Sequence, residues 1–387
     1  MRIAVNALFL RSGRVGGSEI ALRGLVNGLA RRLPGRQIRV YLPAAEAGRG
    51  SFGEGVEEVV GPVPTRPRAA RIVGEQTWLP ARLALDRADL LWNAGFTAPV
   101  ATSIPQVTTV FDVQHLRHPE YFHPTHRLAW RVLVDLALAR SRRIACPSKA
   151  TLADLAALRP RHASKLRLVV LGVEDDWLEA RPPEAAAHRR RLQLPEHLAV
   201  CVATTHPHKG HATVLRAWRA LLDGGHAPPL LALTGVTGFA DAAIRELTRE
   251  LRLDAHVRHL GWLAREELRE VVASADVALV PSQFEGFGLP LLEALALGVP
   301  TVASDLPVLR EVGRDHVRWV KGHDEREWAS AVKAILAMTT AERCEWAERA
   351  RRAASAWTWD RASSALLEVF EQARRGGAVD GIERREV

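Results

Sequence analysis

The stretch PSQFEGFGLPLLEALALGVPTVASD, residues 281–305, decides the fold and most of the function. Residues 276–280, DVALV, immediately before it, read as a buried parallel strand. Gly286 and Gly288 loosen the backbone after that strand, and Pro290 suits the first turn of a helix running to Leu297. A helix start presents free backbone N–H groups and the positive end of the dipole, which together attract phosphate. Glu293 falls on the same face as Leu289, Ala296 and Leu297, so it lies on the apolar stripe of its own helix. A carboxylate there requires sugar hydroxyls, backbone N–H groups or a cation close by. Glu285 lies eight residues earlier, at the carboxyl edge of the strand, where open α/β sheets place ligands. The expected ligand is anionic and rich in hydroxyls. A plainer reading has the helix capped by its own loop, Glu285 solvated and Glu293 paired with an arginine.

Strand and helix patterns alternate twice along the chain, as in parallel sheets covered by helices on both faces. The first series places strands at 3–8, 38–42, 90–92, 106–111, 143–146 and 166–171, with helices near 18–33, 125–140 and 149–158. The second restarts at Leu198, with strands near 230–234, 256–260, 276–280, 300–303 and 316–320. The fold expected is α/β, with two Rossmann-like doubly wound domains. They are placed at residues 1–178 and 198–358, joined by a Pro-rich charged linker at 179–197. A helix at 359–375 follows, and the charged tail 376–387 is expected to be disordered.

Three further elements carry chemistry. ATTHPHKGHATVLRAW, residues 203–218, opens the first helix of the second domain with Lys209 at its start. The chain has only five lysines, Lys149, Lys165, Lys209, Lys321 and Lys333, and one at a strand-to-helix turn is well placed to neutralise a leaving diphosphate. SGRVGGSEIALRGL, residues 12–25, leaves the first strand. Gly16 and Gly17 permit close approach to an anion, and Ser18 and Glu19 can cap the helix. FDVQHLRHPEYF, residues 111–122, carries His115, and Ser148 after ACPS reads as a helix N-cap.

The 281–305 segment resembles the signature of retaining glycosyltransferases of family 4, the glycosyl transferases group 1, in which two glutamates are separated by seven intervening residues. The resemblance implies a GT-B fold, its two domains facing a cleft, the first binding the acceptor and the second the donor nucleotide sugar. It assigns Glu285 to the donor sugar and Glu293 to the ribose. Ser282, Gly286, Phe287, Gly288, Leu289, His208 and Trp262 then join the donor site, with Gly16 and Gly17 facing the diphosphate. The family usually adds an arginine beside the lysine; here His206 or His208 stands in that region, so charge stabilisation rests on Lys209 and an imidazole whose charge depends on pH. Relatives carry a histidine where this chain has Phe111, and His115 is the substitute expected on the acceptor side. The catalytic set implied is therefore Glu285, Lys209 and His115. The activity implied is that of a retaining hexosyltransferase using a nucleoside diphosphate sugar and a saccharide or lipid-linked acceptor. The HPHKGH variant resembles mannosyltransferase-like members, which implies GDP-mannose as donor, with UDP-sugars the alternative. The final helix is implied to cross back to the first domain.

Composition narrows the alternatives. An apolar content of 47% and a charged content of 25% are those of a soluble globular protein. No apolar run reaches the ~18 residues of a membrane span, and no signal peptide is recognised. Cys146, Cys201 and Cys344 lack metal-type spacing, which suits a reducing cytoplasm. No metal cofactor is expected, and Glu174, Asp175 and Asp176 read as a loop. The net charge of +9 is carried by arginine, and the runs at Arg66–Arg71, Arg140–Arg143 and Arg189–Arg191 read as solvated surface or as peripheral contact with an anionic membrane. Nucleic acid is not expected, for want of aromatic-interleaved basic segments. A nicotinamide-dependent oxidoreductase is excluded by the missing GxGxxG. The alternative function is a noncatalytic nucleotide-sugar-binding scaffold.

Overall fold

A computed structural model of the chain describes residues 1–33, 35, 37–50, 52–121, 124–179 and 193–375. The apolar runs form two parallel sheets. The first contains β1 (Ile3–Asn6), β2 (Ile38–Leu42), β3 (Val56–Val60), β4 (Leu90–Asn93), β5 (Gln106–Thr109), β6 (Arg143–Cys146) and β7 (Leu166–Leu168), in the order β3-β2-β1-β4-β5-β6-β7. The second contains β8 (Leu198–Val202), β9 (Leu230–Thr234), β10 (Val257–Gly261), β11 (Val277–Val280), β12 (Thr301–Ser304) and β13 (Arg318–Val320), in the order β10-β9-β8-β11-β12-β13. Strand order reverses between β1 and β4 in one sheet and between β8 and β11 in the other. The crevice at the carboxyl ends of such a pair is where doubly wound sheets hold ligands.

The chain divides into two compact units. One comprises Met1–Arg11, Leu25–Val170 and the chain from Asp360 onward; the other comprises Ser12–Gly24 and Leu171–Trp359. The glycine-rich loop after β1 thus groups with the second unit. The Trp359–Arg375 helix, from Asp360 on, groups with the first. Its Phe370 packs against Trp92 of β4 at 5.9 Å between ring centroids, and Arg142 Nη1 donates to Ala373 O at 3.0 Å.

In the second unit Trp218, Leu233, Leu279 and Trp328 belong to one core cluster. The first unit buries Leu8, Tyr41, Leu79, Leu83 and Leu91 together. Two of its elements were illegible in the sequence. Strand β3, VEEVV, places two glutamates inside a short strand at the sheet edge, so no continuous apolar run marks it; Glu57 instead pairs with Arg39 of β2 at 2.8 Å. The Arg68–Leu85 helix swallows part of the Arg66–Arg71 run. Arg71 is buried there, which corrects its reading as solvated surface: its Nη1 lies 3.1 Å from Glu75 Oε2, and Thr97 Oγ1 donates to the same oxygen at 2.8 Å. Burial pushes the Glu75 carboxyl up, and Arg71 opposes that rise. The linker residues 180–192 and the tail 376–387 lie outside the described residues.

Candidate functional site

The site begins where β8 and β11 end. After β8 the chain makes a short turn, Pro207–Lys209, and Gly210 at φ +71° starts the His211–Asp223 helix. Only glycine serves at 210, because a β-carbon would stand 2.0 Å from Pro281 O. That approach stitches the two loops together, and Gln283 N donates to His208 O at 2.7 Å. Lys209 Nζ then reaches Glu285 Oε1 at 2.7 Å, and Ser282 Oγ donates to the same oxygen at 2.7 Å. The lysine and glutamate side chains are 18% and 9% exposed, so Glu285 is not the solvated carboxylate of the plainer reading. Three expected site residues meet at one oxygen atom.

Gly288, at φ +101°, turns the chain into the Leu289–Ala296 helix with Pro290 in its first turn. A β-carbon at 288 would press to 2.5 Å from Leu309 Cδ2. Glu293 is buried, as its place on the apolar stripe requires. Its partner is Arg265, the first residue of the Arg265–Ala273 helix: Nη1 donates to Glu293 Oε1 at 2.7 Å, while Nη2 donates to Glu174 Oε2 at 2.8 Å. The guanidinium lies 4.3 Å from the Trp177 ring centroid. Burial pushes the Glu293 carboxyl up, and Arg265 opposes that rise without cancelling it. This half of the plainer reading is found. The acidic run at 174–176 is no free loop. Glu174 stands just before the short Asp175–Leu178 helix with its carboxylate turned to Arg265, and Asp176 pairs with Arg269 at 2.5 Å.

The glycine-rich loop stands against the same helix start. A β-carbon at Gly17 would lie 3.5 Å from Leu289 Cδ1, one at Gly16 3.7 Å from Thr204 Oγ1, and one at Gly13 3.2 Å from the Trp262 ring. Glu19 fastens the loop by accepting from Gly13 N at 2.9 Å. The loop that carries Gly16 and Gly17 thus lies beside Leu289 and Trp262, the latter 56% exposed. Phe287 turns the other way, buried edge-to-face against Trp357.

The imidazoles differ in placement. His206 and His208 stack at 5.8 Å, and His206 packs on Phe239 at 4.6 Å. Burial and then Lys209 lower the His206 pKa, so near pH 7 this ring is neutral and adds no charge to that of Lys209. His115 belongs to the first unit, edge-on to Phe96 and Trp130 with its Nε2 buried. Burial draws its pKa down to about 4. Phe111 is buried and meets Phe96 edge-to-face at 6.2 Å.

Two families match in tandem, Glycosyltransferase Family 4 over residues 15–177 and Glycosyl transferases group 1 over residues 184–353. Together the two span most of the chain, which belongs to the glycosyl transferases that they describe. This glycosyl transferase is similar to O-antigen chain mannosyltransferase B of Escherichia coli, with 29% identity over 54% of this chain and 55% of the relative. It is also similar to D-inositol 3-phosphate glycosyltransferase of Salinispora arenicola, with 36% identity over 49% and 44%. The chain spans about half the length of these curated relatives. Among solved structures, Anabaena HepE in complex with UDP and glucose aligns with TM-score 0.76 and 19% identity, over 96% of this chain and 99% of that one. WaaG, a glycosyltransferase involved in lipopolysaccharide biosynthesis, aligns with TM-score 0.76 and 18% identity, over 95% and 99%. At those identities the likeness shows the fold, which is GT-B.

The glycosyl transferase also holds site residues that sequence reasoning missed. Arg265 is one of many arginines. The signal that could have found it was the demand of a buried Glu293 for a cation, but the demand does not say which arginine answers. Gly210 was likewise silent, since its need for close approach appears only when the two loops meet.

Proposed function

We propose that this glycosyl transferase moves a hexose, mannose foremost, from a nucleoside diphosphate sugar to a saccharide or lipid-linked acceptor, with retention of anomeric configuration. The product belongs to cell-surface polysaccharide or glycoconjugate. The observation that carries the reading is the Lys209–Glu285–Ser282 group at the switch point of the second sheet. A cation and a backbone-rich helix start converge there, which is what a departing diphosphate requires. In this reading Lys209 and the first amides of the Leu289–Ala296 helix take the developing phosphate charge without a metal ion. Glu285 accepts from the sugar hydroxyls, Glu293 from the ribose, and neutral His115 serves the acceptor. Support comes from the relatives, one named a mannosyltransferase of the O-antigen chain, and from HepE, which holds UDP and glucose.

The direct test is Glu285→Gln. Transfer falls by about 100-fold or more while donor affinity stays within about three-fold of native. Native transfer by E285Q would contradict the assignment. The scaffold reading draws on Phe111, buried where the family resemblance implies a histidine; tight donor binding without transfer to any acceptor would favour it.

Peripheral membrane contact on the cytoplasmic side is part of the proposal. On the Pro124–Arg140 helix, Leu128, Val132 and Leu136 are 69%, 48% and 39% exposed at i, i+4 and i+8, with Arg127 and Arg131 beside them. Among the described residues no helix is long and apolar enough to cross a membrane. Co-sedimentation with phosphatidylglycerol vesicles that is lost in L128S/V132S supports this contact, and equal recovery of both proteins refutes it.

A further inference from the structure

Glu293 is buried, yet among the described residues its hydrogen bonding is one-sided. Oε1 accepts from Arg265 at 2.7 Å, and Oε2 makes no hydrogen bond. Arg265 is itself held at two more points, by Glu174 at 2.8 Å and by the Trp177 ring at 4.3 Å. A guanidinium fixed by a second carboxylate and an aromatic face has little freedom to rotate.

We infer that Arg265 is a positioning residue for the nucleotide: by holding Oε1 of Glu293 it fixes the carboxylate in one orientation and leaves Oε2 to accept a ribose hydroxyl. The inference rests on the reading of Glu293 as the ribose group. Arg265 acts through Glu293 and touches no reacting atom. Burial, and after it the neighbouring Glu174 carboxylate, push the Glu293 carboxyl up, and Arg265 is the group that opposes this rise. Among the described residues, the other elements packed on the Leu289–Ala296 helix place no second hydrogen-bond partner on Glu293. Thr340–Ala354 turns Arg351 to Leu297 O, Pro307–Gly313 ties Arg310 to Asp305, and Asp175–Leu178 ties Asp176 to Arg269. Strands β11 and β12 carry no titratable side chain.

The test is calorimetric titration of the full chain with UDP and with GDP from pH 6 to 9. Arg265→Gln weakens the better-bound nucleotide by about ten-fold at pH 7, and affinity recovers as pH rises, its midpoint standing above the native one. Arg265→Lys, which keeps the charge without the fork, restores the native midpoint and recovers only part of the affinity. A purely structural role for Arg265 would not move that midpoint. Glu293→Gln separates the two levels of the argument. If E293Q binds both nucleotides natively, the ribose role of Glu293 fails and the inference with it. If E293Q binds weakly while R265Q keeps native affinity and midpoint, the inference alone is overturned. Should R265Q fail to fold by circular dichroism, R265K carries the test: a loss of about three-fold is expected, and native affinity would contradict it.

Discussion

Lys209 and Glu285 are separated by 76 residues in the chain and by 2.7 Å in space. Each follows one of the two strands at which the second sheet reverses its order, so the pair marks the ligand crevice by topology as well as by charge. At 18% and 9% exposure the pair is screened less than a surface salt bridge. Its geometry leaves the ammonium two further hydrogens for a diphosphate.

Replacing Lys209 by Met removes that cation and leaves Glu285 with Ser282 alone. Transfer falls by about 100- to 1,000-fold, whereas donor affinity falls less, because the charge develops most fully in the transition state. Single-turnover rates beside equilibrium binding measure the split. Equal losses in both would assign Lys209 to ground-state binding.

Gly210→Ala forces a β-carbon to within 2.0 Å of Pro281 O at a backbone angle of φ +71°. The two loops must part, at a cost of at least about 2 kcal/mol, and the Lys209–Glu285 contact goes with them. Gly225→Ala is the control: φ there is +73° with open space around it, so strain alone acts, at about 1 kcal/mol. Denaturant midpoints of the two variants give the comparison, and equal losses would remove loop stitching from the account.

His211 is buried with both ring nitrogens unpartnered among the described residues, and burial lowers its pKa from 6.5 to about 4. Below pH 6.5 the unfolded chain binds a proton that the folded chain refuses until about pH 4. Stability therefore falls as pH drops through that window, by up to about 3 kcal/mol from this group. His211→Phe abolishes this component, so its advantage in thermal midpoint over the native protein grows from pH 8 to pH 5. An advantage independent of pH would show that His211 titrates normally.

Much of this was legible in the sequence for physical reasons. Parallel strands buried on both faces are largely continuous apolar runs, which made β8, β9, β11 and β12 visible, whereas β3, with Glu57 and Glu58 inside it, was not. Glu285 and Lys209 could be found because charge near a helix start is conspicuous, whereas Ser282 came with the family resemblance. Arg265 could not, because a long flexible side chain reaches its partner through tertiary packing that spacing does not encode. Phe287 was misjudged for a related reason: a loop aromatic beside glycines can face a ligand or the core, and Trp357 supplies the core partner.

The central claim is that the second unit binds a nucleoside diphosphate sugar and releases its diphosphate through Lys209. The most direct measurement is binding and slow hydrolysis of UDP-, GDP- and ADP-sugars by the purified protein with chelator present. One donor bound and turned over, with turnover lost in K209M, is the predicted result; the absence of binding to every donor would contradict it.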